Sequence, residues 1–223
     1  MKIIVLGCPG AGKGTQTAFI AKKYNLPLIA TGDILRVLIE AGSPIGHIAH
    51  DLMKTGELVP DNLIIELVKK RIAQHDCDNG FVLDGFPRTV PQAMALLEAN
   101  IDIDCMIEIA VPDDYIVQRV SGRWIHQPSG RVYHESHNPP KVPGRDDITG
   151  EALTQRFDDT KAIVSERLKI YHDRTEPLID FYHKLADEDM AHHLNYIRVD
   201  GRGTVEEVQG KIIQILSDIP NRN

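Results

Sequence analysis

The chain has 223 residues, 42% hydrophobic and 26% charged, with a net charge of −7 at neutral pH. That length supports one substantial core with room for a small extra lobe. The acidic balance excludes a broad nucleic-acid or anionic-membrane surface, so any phosphate site must be built from individually placed cations.

The apolar run Ile3–Leu6 reads as a buried strand, and Gln16–Tyr24 as a helix. Between them, Gly7-Cys8-Pro9-Gly10-Ala11-Gly12-Lys13-Gly14-Thr15 has the G-x-x-x-x-G-K spacing of a phosphate-binding loop. Glycines let backbone N–H groups approach a phosphate chain, the helix N-terminus adds its dipole, and Lys13 adds a full charge. Gly14 occupies the place where Ser or Thr would hold magnesium, and Thr15 follows one position later. Cys8 lies near that helix N-terminus, where a thiol pKa can fall, so it reads either as a reactive thiol whose alkylation would block nucleotide binding or as a small buried filler in the loop.

Pro27–Ala30 reads as a second strand, followed by Thr31-Gly32-Asp33 as a turn and cap for a helix over Ile34–Ile39. Gly42-Ser43-Pro44 breaks that helix, and Ile45–Lys54 resumes one that stops near Gly56. From Pro60-Asp61 a stronger helix begins, with Leu63, Leu67, Val68 and Ile72 on one face. Phe81–Asp84 is a third strand ending in a carboxylate, Pro91–Ala99 a helix, Met106–Val111 a fourth strand, and Pro112–Val120 another helix.

Residues 122–159 then change character, with four glycines, four prolines, five Lys/Arg and six Asp/Glu. Alternation in Arg123–His126 and Arg131–His134, joined by Gln127-Pro128-Ser129-Gly130, predicts a β-hairpin in a small inserted lobe. A long helix follows over Thr160–Leu185, bent near Pro177. Asn195–Val199 is a fifth strand. Thr204 and Glu207 form a capping box for a last helix with Val205, Val208, Ile212, Ile215 and Leu216 as its apolar stripe. Strands alternating with helices imply an α/β fold, a parallel sheet covered on both faces.

The carboxyl ends of such strands face the ligand crevice. Asp84 is therefore expected beside the loop, holding magnesium through water, and Arg88 is expected on phosphate oxygens. Each of Arg119, Arg123, Arg156 and Arg167 alone reads as a solvated helix-face cation. Arg119 and Arg123 stand at i,i+4, however, which a continuous helix would present on one face, and Arg156 and Arg167 flank the far end of the insertion, so the four together could converge over the loop. Arg36 is a further candidate cation. His126, Ser129, Asp146 and Thr149 have the paired spacing of a zinc site but include poor zinc ligands, which favours a hydrogen-bonded polar knot. His134-x-x-His137 makes only a weak metal pair. Cys8, Cys77 and Cys105 are widely spaced and odd in number, which fits reduced thiols and a cytoplasmic protein. No apolar run reaches the roughly 18 residues a membrane span needs. The chain meets Pro9 and the glycines too soon for a signal peptide.

Four motifs together, the loop through Thr15, Thr31-Gly32-Asp33-x-Leu35-Arg36, Asp84-Gly85-Phe86-Pro87-Arg88-Thr89 with Gln92, and Arg119-x-x-x-Arg123, resemble adenylate kinases of the long-lid bacterial type. The resemblance runs nearly end to end. It implies ATP + AMP ⇌ 2 ADP on a five-stranded parallel sheet flanked by helices, the P-loop nucleoside monophosphate kinase fold. The core would be residues 1–29, 60–121 and 160–223, with a helical monophosphate-binding lobe at 30–59 and a small β lid at 122–159. Gly10, Ala11, Gly12, Lys13, Gly14 and Thr15 would hold ATP with Arg119, Arg123, Val132, Tyr133 and the backbone at Gly203. Thr31, Arg36, Glu57, Leu58, Val59, Gly85, Phe86, Pro87, Arg88 and Gln92 would hold AMP. Arg156 and Arg167 would span the transferring group, so the catalytic set is Lys13, Arg88, Arg123, Arg156 and Arg167. Mg2+ would arrive with ATP. The lid's His126, Ser129, Asp146 and Thr149 resemble the variant without structural zinc. A monomer is expected, because hinged lobes need free space. A kinase for another nucleoside monophosphate and a nucleotide-binding switch module are the competing readings. The stretch from Asp187 to His193 has no functional reading.

Overall fold

The computed structural model describes residues 1–136, 138–188 and 194–219. The His134–His137 pairing and most of the stretch from Asp187 to His193 fall outside those residues.

Side chains along β1 (Lys2–Leu6) alternate between two apolar clusters. Ile3 and Val5 join one and Ile4 and Leu6 the other, all fully or almost fully buried. A strand buried on both faces needs helices on both, and that is the arrangement found. The sheet order is β2-β3-β1-β4-β7, from β2 (Leu28–Ala30), β3 (Phe81–Asp84), β4 (Cys105–Ala110) and β7 (Asn195–Asp200). All four pairings are parallel, with Ile3 opposite both Val82 and Cys105. One face is covered by α1 (Lys13–Tyr24), α6 (Asp113–Ser121), α7 (Lys161–Ile170) and α9 (Val205–Ser217). The other carries α2 (Thr31–Glu40), α3 (Pro44–Thr55), α4 (Asp61–Ile72), α5 (Val90–Glu98) and α8 (Pro177–Glu188). The antiparallel hairpin of β5 (Arg123–His126) and β6 (Arg131–His134) stands apart, with Trp124 opposite Tyr133. Among the described residues no helix is long and apolar enough to cross a membrane.

The five expected strands and the hairpin are all present within a residue or two. Several helix details differ. On α4 the buried residues are Ile64 and Val68, with Leu63, Leu67 and Ile72 only at the margin. Val205 on α9 points outward at 37% exposure, leaving Val208, Ile212 and Leu216 as the buried line. The long helix after Thr160 is interrupted before its proline. Tyr171–Thr175 forms a π-turn, closed by Glu176 N–H donating to the Tyr171 carbonyl at 2.8 Å. Pro177, with no N–H to donate, starts α8 immediately after.

α2 and α3 approach so closely that a Cβ at Gly46 would overlap the Leu38 carbonyl. Backbone cannot swing aside as a side chain can, so Gly46→Ala is expected to cost about 2 kcal/mol. That corresponds to a Tm drop of about 4–8 °C for a chain of this size. An unchanged melting curve would mean that the two helices part freely.

Candidate active site

The phosphate loop lies where β1 ends and α1 begins, at the carboxyl edge of the sheet. Ala11 N–H donates to the Cys8 carbonyl at 3.1 Å, closing the first bend. Gly12, at φ 96°, is the N-cap of α1 and supplies no side-chain cap. The first-turn amides of Lys13, Gly14 and Thr15 therefore start the helix without intrahelical acceptors, under the positive end of its dipole. A Cβ on Gly10 would come within 2.5 Å of Val120 and 3.2 Å of Ile116, so α6 roofs the loop directly. Lys13 Nζ folds back to donate to the carbonyls of Gly7 at 2.7 Å and Cys8 at 2.9 Å.

Burial pushes Lys13 down to about 8; Asp84 opposes that fall, and Arg88 and Arg167 add to it. The ammonium is thus lost as pH rises through about 8 in the free protein, and a bound polyphosphate must raise it again. kcat/KM for the donor nucleotide is expected to fall above about pH 8, while kcat holds to higher pH. Coincident alkaline limbs in the two profiles would refute this.

Across the crevice, Thr31 does not cap its helix as expected. Ala30 is the N-cap of α2, and the Thr31 hydroxyl donates instead to the carbonyls of Gly85 at 2.9 Å and Asp84 at 3.3 Å. Gly85 at φ 77° leaves just enough room: a Cβ would meet Thr31 Oγ1 at 2.9 Å and Arg88 Nη2 at 3.0 Å. Phe86 is buried, and the Phe86–Pro87 bond is cis.

Arg88 is tied down at three points. Its Nε donates to the Gly85 carbonyl at 2.8 Å, its N–H to Gln92 Oε1 at 2.7 Å, and its carbonyl accepts from Thr175 Oγ1 at 2.8 Å. Gln92 Nε2 donates to Asp61 at 2.6 Å, so both ends of that amide are engaged within the protein. Arg36 pairs with Asp33 at 2.5 Å. Of the segment after α3, Glu57 is exposed, Leu58 half-buried and Val59 buried.

The remaining arginines are held by carboxylates that pattern reading passed over. Arg123 pairs with Asp159 through Nε at 2.8 Å and through a second, shorter contact, and Arg167 Nη1 pairs with Asp158 at 3.1 Å. Asp158 and Asp159 are only 4% and 8% exposed, and Asp158 Oδ1 has no partner among the described residues. Their one signal in the sequence was an acidic pair two residues past Arg156, directly before a helix cap. Arg156 lies 3.7 Å from Asp33, and the next residue, Phe157, rests its ring against that of His50 on α3 at 5.8 Å. Burial holds Arg156 and Arg167 down to about 10; Arg36 and Arg123 add to the fall at Arg156, Arg88 and Arg123 at Arg167. Burial first, and mutual repulsion after it, make these cations candidates for binding negative charge.

Arg119 and Arg123 do not share a helix face. α6 ends at Ser121 with Gly122 as its C-cap, and Arg123 opens β5. Arg119 turns back to the C-terminal side of the sheet, donating to the Gly201 carbonyl at 2.8 Å and that of Arg202 at 3.4 Å. Gly203 follows, and a Cβ there would meet Glu207 Oε2 at 2.6 Å.

A family model described as adenylate kinase matches residues 5–187, from the first strand into α8. The chain belongs to the adenylate kinase family. It is accordingly a phosphotransferase acting on nucleoside monophosphates, on the α/β fold of that family.

In this adenylate kinase family member the segment around the β5–β6 hairpin is knotted by polar contacts. Asp146, almost fully buried, accepts a two-pronged contact from Arg131 at 2.8 and 2.6 Å, the Tyr133 hydroxyl at 2.9 Å and Thr149 Oγ1 at 3.0 Å. Those donors, Arg131 foremost, hold its carboxyl far below the usual range. His126 contacts Ser129 Oγ through Nδ1 at 2.7 Å and Glu151 through Nε2 at 2.6 Å. Glu151 was not anticipated. Tyr133 is buried in this knot, and Val132 beside it is half-buried.

Asp84 lies at the loop: its Oδ2 accepts from Thr17 Oγ1 at 3.3 Å and sits 3.5 Å from where a Gly14 Cβ would be. Among the described residues no group of three or more His, Cys, Asp or Glu is arranged to hold a metal. A single carboxylate beside a phosphate cradle suits Mg2+ that arrives on a nucleotide and keeps its own water. Of the two readings of Cys8, burial favours the filler. Cys8 is 4% exposed with Sγ 3.5 Å from the Val111 carbonyl, and burial drives its pKa up despite Lys13. The thiol is a loop filler, not an activated nucleophile.

Proposed function

We propose that the chain catalyses reversible transfer of the terminal phosphoryl group of ATP to AMP, yielding two ADP. The observation that supports this reading is a set of buried arginines close enough to the loop lysine and to one another to repel. Lys13 feels both Arg88 and Arg167, while Arg156 feels Arg36 and Arg123. A hydrolytic switch needs one cradle; a transferase needs two, with cations between them.

In this reading Gly10 to Thr15, Arg119, Arg123 and the backbone near Gly203 take the donor, with Val132 and Tyr133 bordering it. Thr31, Arg36, Glu57 to Val59, Gly85 to Arg88 and Gln92 frame the acceptor. Gln92 works mainly by fixing the Arg88 backbone. Residues 30–59 form the acceptor lobe and 122–159 a zinc-free lid on the core. Asp84 would help hold Mg2+ arriving with ATP, and that ion would supply charge neutralisation on the phosphates.

An acceptor phosphate oxygen attacks the terminal phosphorus in line, and the bond to the bridging oxygen breaks toward the outgoing ADP. That acceptor oxygen is already anionic, so no general base is required. Lys13, Arg88, Arg123, Arg156 and Arg167 draw the two polyanions together and stabilise the transition state, and lid closure excludes water as a rival acceptor. A coupled assay across all pairs of nucleoside tri- and monophosphates tests this. Turnover should be highest with ATP and AMP. Preference for another monophosphate, or slow hydrolysis indifferent to AMP, would overturn it.

A further inference from the structure

His172 lies outside the phosphate crevice, on the π-turn, and both of its ring nitrogens face carboxylates. Nδ1 is 2.7 Å from Glu176 Oε2 and Nε2 is 2.9 Å from Asp113 Oδ2. Ionised carboxylates only accept, so making both contacts at once requires N–H on both nitrogens. The ring that bridges them is therefore the imidazolium. A neutral imidazole donates once and turns a lone pair toward the other carboxylate. The rest of its surroundings holds the edge of the Tyr171 ring, at 5.5 Å. Glu176 first, then Asp113, hold the His172 pKa above its ordinary value.

The two carboxylates belong to different elements. Asp113 is the first residue of α6, which roofs the loop through Ile116 and Val120 and carries Arg119 in its last turn. Glu176 closes the π-turn, whose Thr175 holds the Arg88 carbonyl. The bridge thus joins the roof of one cradle to the support of the other.

We propose that His172 is a proton-operated strap, fastening the start of α6 to the π-turn while protonated and releasing it when the ring is neutral. The sign follows from a raised folded-state value: the strap's stabilisation is fully present below about pH 6.5 and is lost as pH rises through the folded-state pKa. All three side chains are about half exposed, so the effect is a modest one.

The test uses the full chain and needs no activity assay. Ring titration by NMR in the wild type should show a midpoint above about 6.5, lowered both in Glu176→Gln and in Asp113→Asn. Thermal unfolding of wild type and His172→Gln should differ by about 2–4 °C at pH 6, a gap that closes by pH 9. An ordinary midpoint, a midpoint moved by only one of the two carboxylate variants, or a Tm gap that stays constant with pH would each overturn the strap.

Discussion

Lys13→Met is expected to lower kcat by on the order of 100-fold or more, and Arg88→Ala to do the same, as for a lost electrostatic contact to a developing transition state. Methionine keeps most of the lysine stem but removes the charge and two donors to the Gly7 and Cys8 carbonyls. The folded protein pays little for that loss. The lowered pKa of Lys13 means that its charged form is disfavoured by folding below about pH 8, which offsets the two contacts removed. Tm of Lys13→Met should therefore stay within about 4 °C of wild type while turnover collapses. Arg88→Ala leaves the backbone ties to Gln92 and Thr175 in place, because both are made by main-chain atoms. Its loss should fall on kcat together with acceptor KM. Near-wild-type turnover in either folded variant would remove that residue from the reaction.

The sheet was legible because its strands are short apolar runs punctuated by glycine, proline and aspartate, and β1 needs partners on both faces. The loop was legible because its chemistry is contiguous: one strand end, four glycines, one lysine and one helix start. What escaped is non-local. Asp158 and Asp159 look like loop carboxylates until the fold brings Arg167 and Arg123 onto them. Thr175 gives no hint in sequence that it will hold a carbonyl 87 positions earlier. Arg119 and Arg123 misled in the opposite way: i,i+4 spacing implies a shared face only while the helix continues, and Gly122 ends it. Thr31 misled similarly, since a hydroxyl that can cap its own helix can also be taken by another loop. On α4, apolar residues at 63, 64, 65, 67, 68 and 72 allow two overlapping stripes, and only packing against the sheet chooses the one centred on Ile64 and Val68.

Arg167→Ala is expected to destabilise the protein by about 3 kcal/mol, because it strips the partner from a buried carboxylate. Asp158 is 4% exposed, its Oδ2 rests on Arg167 at 3.1 Å, and its Oδ1 has no other partner among the described residues. Arg88 and Arg156 also feel Asp158, which keeps the cost at the lower end of the range for a broken buried pair. The corresponding Tm loss is about 6–12 °C, larger than the loss of an exposed ion pair gives. Asp158→Asn in the Arg167→Ala background removes the orphaned charge and should restore part of that loss, so the double variant melts above the single one. The catalytic effect should not be restored in parallel. Arg167 is proposed to act on the transferring phosphoryl group, and a neutral residue 158 cannot replace its charge, so kcat stays depressed in both variants. A double-mutant cycle read in Tm and in kcat separates the two roles. Stability effects that add to within about 0.5 kcal/mol would show that Asp158 does not depend on Arg167. Recovery of kcat in the double variant would show that Arg167 serves only to neutralise Asp158, and would reduce the transferring set to Lys13, Arg88, Arg123 and Arg156.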